Sequence, residues 1–237
     1  MGADDAAPVT LRVLGTVEAS VEGRPVALGG PLQKALLVRA LLAGDTPVPA
    51  DQVAEDLWGE RAQPATLKSV HAYAARLRKA LGEAAFPRGR DGYLVDRSAV
   101  TVDADLFVRE VHAGNRSLGR RADVEAAQVL AAALARWHGP SAFAGMEDRP
   151  FLDAEIARLD ALRAEAAEAL AEAHTRLGRA AEDAGRLAEL AERYPLRESL
   201  IGRLMIALAA AGRQADALAA YERCRCLLYT SPSPRDS

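Results

Sequence analysis

RAQPATLKSVHAYAARLRKALGEAAFPRGR, residues 61–90, decides how this chain is read. The stretch holds seven basic residues, Arg61, Lys68, Arg76, Arg78, Lys79, Arg88 and Arg90, against one acid, Glu83. The whole chain has a formal net charge of −3, so this local excess of +6 (seven minus one) is a patch that attracts polyanions. Leu67, Val70, Ala74, Leu77 and Leu81 recur at spacings of three or four, which predicts a helix with one apolar face. Pro64 suits the first turn of that helix and Gly82 the position just past its end. Seated by its stripe, the helix keeps a basic side open, and an α-helix fits the DNA major groove.

Upstream, LRVLGTVEASVEG alternates around Leu11, Val13, Val17 and Ala19, which predicts a strand turning at Glu22–Gly23 and returning through Arg24–Leu28. Pro31 opens a helix whose buried face is Leu32, Ala35, Leu36, Leu37, Ala40 and Leu41, ending at Gly44. Asp51 reads as the N-cap of a short helix carrying Val53, Ala54, Leu57 and Trp58. Downstream, FPRGRDGYLVD followed by RSAVTVD reads as a hairpin over Phe86–Val102. Sheet, helices and a basic-tipped hairpin, in that order, make a winged helix-turn-helix.

Beyond Val102 the period is helical: 104–114, 121–137, about 150–178, 184–193, 197–211 and 214–227. Helices joined by short turns invite comparison with the 34-residue tetratricopeptide template. Leu204, Leu208, Ala217, Tyr221 and Cys224 meet it, with Met205 bulky at the small position. One period earlier, Leu170, Ala171, His174, Leu187, Leu190 and Pro195 fit, while Asp183 occupies the alanine slot. The expected fold is mainly α with small β elements: a winged helix-turn-helix over 8–102, then a tetratricopeptide-like α-helical domain over 103–228.

The bulk numbers agree with a two-domain globular protein. It has 237 residues, 50% hydrophobic and 27% charged, with aromatics at only 5%. MGADDAAPVT carries no secretory signal, and no run of about 18 apolar residues suggests a membrane span, so the cytoplasm is the expected compartment. Cys224 and Cys226 have no partner pair elsewhere, against a disulfide framework or a zinc site. Nucleotide-binding glycine patterns and hydrolase or zincin motifs are missing from the sequence, so neither catalytic residues, a metal nor a cofactor is expected. The acids from Glu147 to Glu172 alternate with Arg149, Arg158 and Arg163, the pattern of an ion-paired helix surface. His112, His138 and His174 lack metal-ligand spacing, and Trp58 and Trp137 read as core anchors.

In this order the parts resemble the actinobacterial antibiotic-regulatory activators. These join an OmpR/PhoB-like winged helix, the output domain of many two-component systems, to a bacterial transcriptional activator domain of tetratricopeptide-like helices. LRVLGTVEASVEGRPVALGGPLQKALL, VHAYAARLRKALG, DGYLVD and VDADLF carry the resemblance in the first part. WHGPSAFAGMEDRPFLDAEIARLDALR, PLRESLIGRLMIAL and GRQADALAAYERCR carry it in the second. The resemblance implies activation of a secondary-metabolite gene cluster through double-stranded DNA at direct repeats, with self-association there, and contact with RNA polymerase. It implies Arg76 for a base edge, Arg78 and Lys79 for phosphates, and Tyr73 for the DNA backbone. Lys68 and His71 are further DNA-binding candidates by their place on the basic helix, His71 for a phosphate, and the resemblance puts Arg88 or Arg90 in the minor groove, with the spacing to Gly92–Tyr93 favouring Arg90.

Two further readings stay open at this level. The chain could be the leading part of a larger ATPase-containing regulator, or a tetratricopeptide-like scaffold whose winged helix meets only protein. The ending LLYTSPSPRDS lacks an apolar period and resembles translated adapter sequence. Residues 229–237 are therefore expected to be disordered or foreign, with the native end lost near residue 226.

Overall fold

The computed structural model describes residues 9–89 and 91–230. They form two compact units, the first drawing on residues up to Leu106 together with Arg136–Asp160, the second on Phe107–Ala135 and residues from Ala161.

In the first unit, β1 (Val9–Arg12), β2 (Glu18–Val21), β3 (Arg24–Val26) and β4 (Val100–Val102) make one sheet in the order β3-β2-β1-β4. Alternation drives β1: Val9 and Leu11 are buried while Arg12 is exposed. β1 pairs antiparallel with β2, and the β2–β3 hairpin turns at Glu22 and Gly23, both at positive φ as the right-handed twist of a two-residue hairpin requires. Three helices follow: α1 (Pro31–Leu42), α2 (Ala50–Trp58) and α3 (Pro64–Leu81). Pro31 opens α1, and Ala35, Leu36, Leu37, Val38, Ala40 and Leu41 are buried along it. Pro49 caps α2, and Asp51 lies inside the first turn of the helix, one step past its expected cap position, where its charge still complements the helix dipole.

The hairpin expected over Phe86–Val102 does not form. Tyr93 instead exchanges two 2.9 Å backbone hydrogen bonds with Val48, and β4 pairs in parallel with β1, Val9 opposite Val100 and Leu11 opposite Val102. Between them Asp96 Oδ1 accepts the Ser98 N–H at 2.9 Å and turns the chain. Each half found an unpaired edge elsewhere, and Val100 and Val102 are buried in the sheet.

Residues 136–160 also belong to this unit, so the first compact unit is not the single segment 8–102. The cause is backbone pairing along 13–16. His138, Phe143 and Ala144 donate their N–H groups to the carbonyls of Leu14, Val13 and Gly15 at 3.0, 2.8 and 2.9 Å. The Asp103 carboxylate takes the N–H groups of Val13 and Leu14 at 2.8 and 3.2 Å, and burial pushes its pKa up. A side chain at Gly15 would sit 2.5 Å from the His138 ring, so only glycine allows this approach.

The second unit is helical among its described residues. It contains α4 (Asp103–Gly119) from Phe107 on, α5 (Asp123–Leu134), α6 (Asp153–Arg176) from Ala161 on, α7 (Ala184–Arg193), α8 (Glu198–Ala210) and α9 (Gln214–Thr230). Gly114 does not break α4; its bare face admits Leu130, whose Cγ would lie 2.5 Å from any Cβ there. The core is alanine-rich, with Ala126, Ala133, Ala164, Ala166, Ala173 and Ala207 buried between Leu130, Leu170, Leu187, Leu200 and Leu204. Acids of α6 are paired with arginines, Glu168 with Arg197 at 2.6 Å and Glu172 with Arg203 at 2.8 Å. α9 reaches Thr230, past the expected end at 227; residues 231–237 of the expected tail lie outside the described residues.

Candidate nucleic-acid interface

α3 is held by the stripe that its sequence marks. Val70, Ala74, Leu77 and Leu81 are buried, with Leu67 half-buried at the N-terminal end. Burying Leu77 and Leu81 stabilises the seat by about 1.5–3 kcal/mol each. The helix starts on a reciprocal lock in which the Gln63 N–H donates to Thr66 Oγ1 at 3.3 Å and the Thr66 hydroxyl donates to the Gln63 carbonyl at 2.6 Å. Gly82, at φ 90°, ends it.

The remaining surface of α3 divides into two faces. Lys68, Ala72, Arg76 and Lys79 form one exposed face at spacings of three and four. Among the described residues, Lys68, Arg76 and Lys79 have no hydrogen-bond or ion-pair partner. With Ala72 between them, this face is a flat row of uncommitted cations. The adjoining face carries His71, Ala75 and Arg78 and lines a cleft of about 580 Å³. Arg88, Gly89, Asp91 and Tyr93 close the cleft on one side, and Pro49 and Ala50 at the start of α2 close it on another.

The candidate residues therefore fall into distinct environments. Arg78 is half-buried and already engaged: Nε donates to the Phe86 carbonyl at 3.2 Å and Nη2 to that of Pro87 at 3.4 Å, with the guanidinium 5.9 Å over the Phe86 ring. It ties Phe86 and Pro87 to α3, and Arg78 also lines the cleft. Tyr73 is stacked on Trp58 at 6.3 Å and 8° between planes, which pins the C-terminal end of α2 against α3. His71 Nδ1 lies 2.6 Å from the Tyr93 hydroxyl. Arg88 is exposed and 3.6 Å from Glu83. Arg90 lies outside the described residues.

Sequence periodicity had no means to find the Tyr93–His71 contact or the second duty of Arg78. Both join positions on different elements, and neither has a spacing signature. The buried polar pair His174–Asp183 in the second unit, at 2.8 Å, was visible only as a misfit of Asp183 to its alanine slot.

The family description "Bacterial transcriptional activator domain" matches residues 102–231. EmbR of Mycobacterium tuberculosis, a transcriptional regulatory protein, is 32% identical over 222 residues, which cover 91% of this chain and 57% of EmbR. The regulatory protein AfsR of Streptomyces coelicolor is 35% identical over 218 residues, covering 91% of this chain and 22% of AfsR. The solved structure of M. tuberculosis EmbR in complex with a low-affinity phosphopeptide aligns with a TM-score of 0.81 at 30% identity, over 96% of this chain and 62% of that one. The chain belongs to the bacterial transcriptional activator domain family, among its actinobacterial antibiotic-regulatory activators. Its relatives are transcriptional regulators, and it spans a little over half the length of EmbR. Among the described residues no helix is long and apolar enough to cross a membrane.

Proposed function

We propose that this chain is a sequence-specific DNA-binding transcriptional activator acting at a secondary-metabolite gene cluster. Residues 8–102 serve as a winged helix-turn-helix. α3 enters the major groove on its Lys68–Arg76–Lys79 face, and the 86–92 loop, with Arg88 and Arg90, follows the minor groove. The helices of the second unit act as a tetratricopeptide-like platform for self-association on direct repeats and for RNA polymerase. One observation carries the reading: a buried stripe seats α3 while three cations on another face have no partner among the described residues. A cation without a carboxylate beside it is available to a phosphate or a guanine edge. Arg76, central on that face, is the base-reading candidate, and Lys68 and Lys79 flank it as phosphate contacts.

Electrophoretic mobility with a direct-repeat duplex and a scrambled one, at two salt concentrations, tests this. A shift that favours the direct repeat and weakens steeply with salt is expected; the absence of any shift at low salt refutes it.

A further inference from the structure

Tyr93 is buried with its ring stacked on Phe86 at 6.2 Å, and among the described residues its hydroxyl has one hydrogen-bond partner, His71 Nδ1 at 2.6 Å. A phenol keeps its proton at neutral pH, and burial holds Tyr93 more firmly in that form, with Arg78 opposing in part. With no other acceptor for it among the described residues, the O–H is satisfied where it donates to Nδ1. A neutral imidazole that accepts at Nδ1 carries its proton on Nε2. Were the ring to gain a second proton, Nδ1–H would donate to the phenol oxygen and Nε2 would still bear hydrogen. The two ring nitrogens point apart, so the one turned from Tyr93 is an N–H in either state. His71 is exposed and lines the same cleft as Arg78 and Arg88, so an imidazole and two guanidinium groups share one cleft.

We propose that Tyr93 is a positioning residue for DNA binding: its hydroxyl holds His71 in the Nε2–H form, and that N–H donates to a backbone phosphate in the cleft. The inference rests on the DNA-binding reading above. A phosphate suits the site because everything presented there by His71, Arg78 and Arg88 is a donor, whereas an acceptor would be needed to read an amino group on a base. Asp91, the carboxylate on the cleft wall, is the group a phosphate must avoid.

The test uses the full chain and the Tyr93→Phe variant, which keeps the ring stack and leaves the exposed His71 free to meet water. Nitrogen-15 NMR of the histidine rings should show His71 as the Nε2–H form in the parent and as a tautomer mixture in Tyr93→Phe. On direct-repeat and scrambled duplexes alike, Tyr93→Phe should bind about two- to five-fold more weakly, because the ring must give up its other tautomer and its rotational freedom before it meets the phosphate. His71→Gln, whose amide nitrogen stands near Nε2, should keep most of the affinity. His71→Asn, with its nitrogen near Nδ1, should lose it, and Tyr93→Phe should add nothing in the His71→Gln background. An Nδ1–H form in the parent overturns the proposal, as does parental affinity in both Tyr93→Phe and His71→Asn. Failure of the parent to bind either duplex at low salt instead overturns the DNA reading, and the phosphate role with it.

Discussion

Neighbouring residues on α3 separate folding from the proposed DNA contact. Leu77 is fully buried and Arg76, one position earlier, is exposed without a partner among the described residues. Leu77→Ala should destabilise the chain by about 2–5 kcal/mol, read as a lower Tm. Arg76→Ala should leave Tm unchanged, weaken specific DNA by about 1–3 kcal/mol and flatten the preference over scrambled DNA, measured by competition binding. Lys79→Ala should instead lower affinity on any duplex and reduce the salt slope by about 0.9. Arg78→Ala is a different experiment, because it also frees the Phe86 and Pro87 carbonyls, so its effect on Tm must be measured beside its effect on DNA. Asp103 adds a pH dependence with a definite sign. Its folded pKa is raised by burial above the ordinary 3.8, so the folded state holds the proton more tightly than the unfolded chain does. Its contribution to stability therefore falls as pH rises from about 4 through the folded value and is constant above it. Melting curves should show the gap between parent and Asp103→Asn narrowing over that range, whatever fixed loss the missing acceptor adds.

At the scale of elements, what was legible in the sequence was whatever repeats along one segment. The α3 stripe, the alternation of β1 and the starts of α1 and α3 at Pro31 and Pro64 all have a local period or a local breaker. The partner of a strand does not. Tyr93, Val95, Val100 and Val102 have the composition of two strands, but nothing in their order says that Val48 and Val9 are nearer edges than each other. The segment 138–144 was equally hidden, since its link to 13–16 runs through backbone groups that any sequence carries. Gly15 is the exception, a glycine read as part of a strand whose missing Cβ is what lets His138 approach. Gly15→Ala should strip hydrogen-exchange protection from the Phe143 and Ala144 amides, while the helices of the second unit keep theirs. In that second unit, Asp183→Ala restores the tetratricopeptide-like alanine yet leaves buried His174 without its partner. A loss of about 3 kcal/mol is expected, largely recovered by adding His174→Leu. Denaturant titration of the single and double variants checks it.

For the whole molecule, the family match beginning at residue 102 and the compact unit that reclaims 136–160 describe different divisions of one chain. A chain truncated after Val102 would lack Asp103, which accepts two backbone N–H groups, and the segment that pairs with 13–16. Its Tm should fall well below that of the first unit in the intact chain, and adding a peptide spanning 136–160 should raise it again. The same segment sends Arg149 Nη1 to the Leu57 carbonyl at 2.7 Å, at the end of α2 and just ahead of the turn that launches α3. Swapping N-terminal parts between relatives in this family is thus not a matter of one splice point. A hybrid regulator that borrows residues 1–102 alone inherits a raw strand edge and an α2 carbonyl meant for another protein's arginine. The N-terminal part and its strap must travel together, so the two pieces are expected to change in concert wherever such genes recombine.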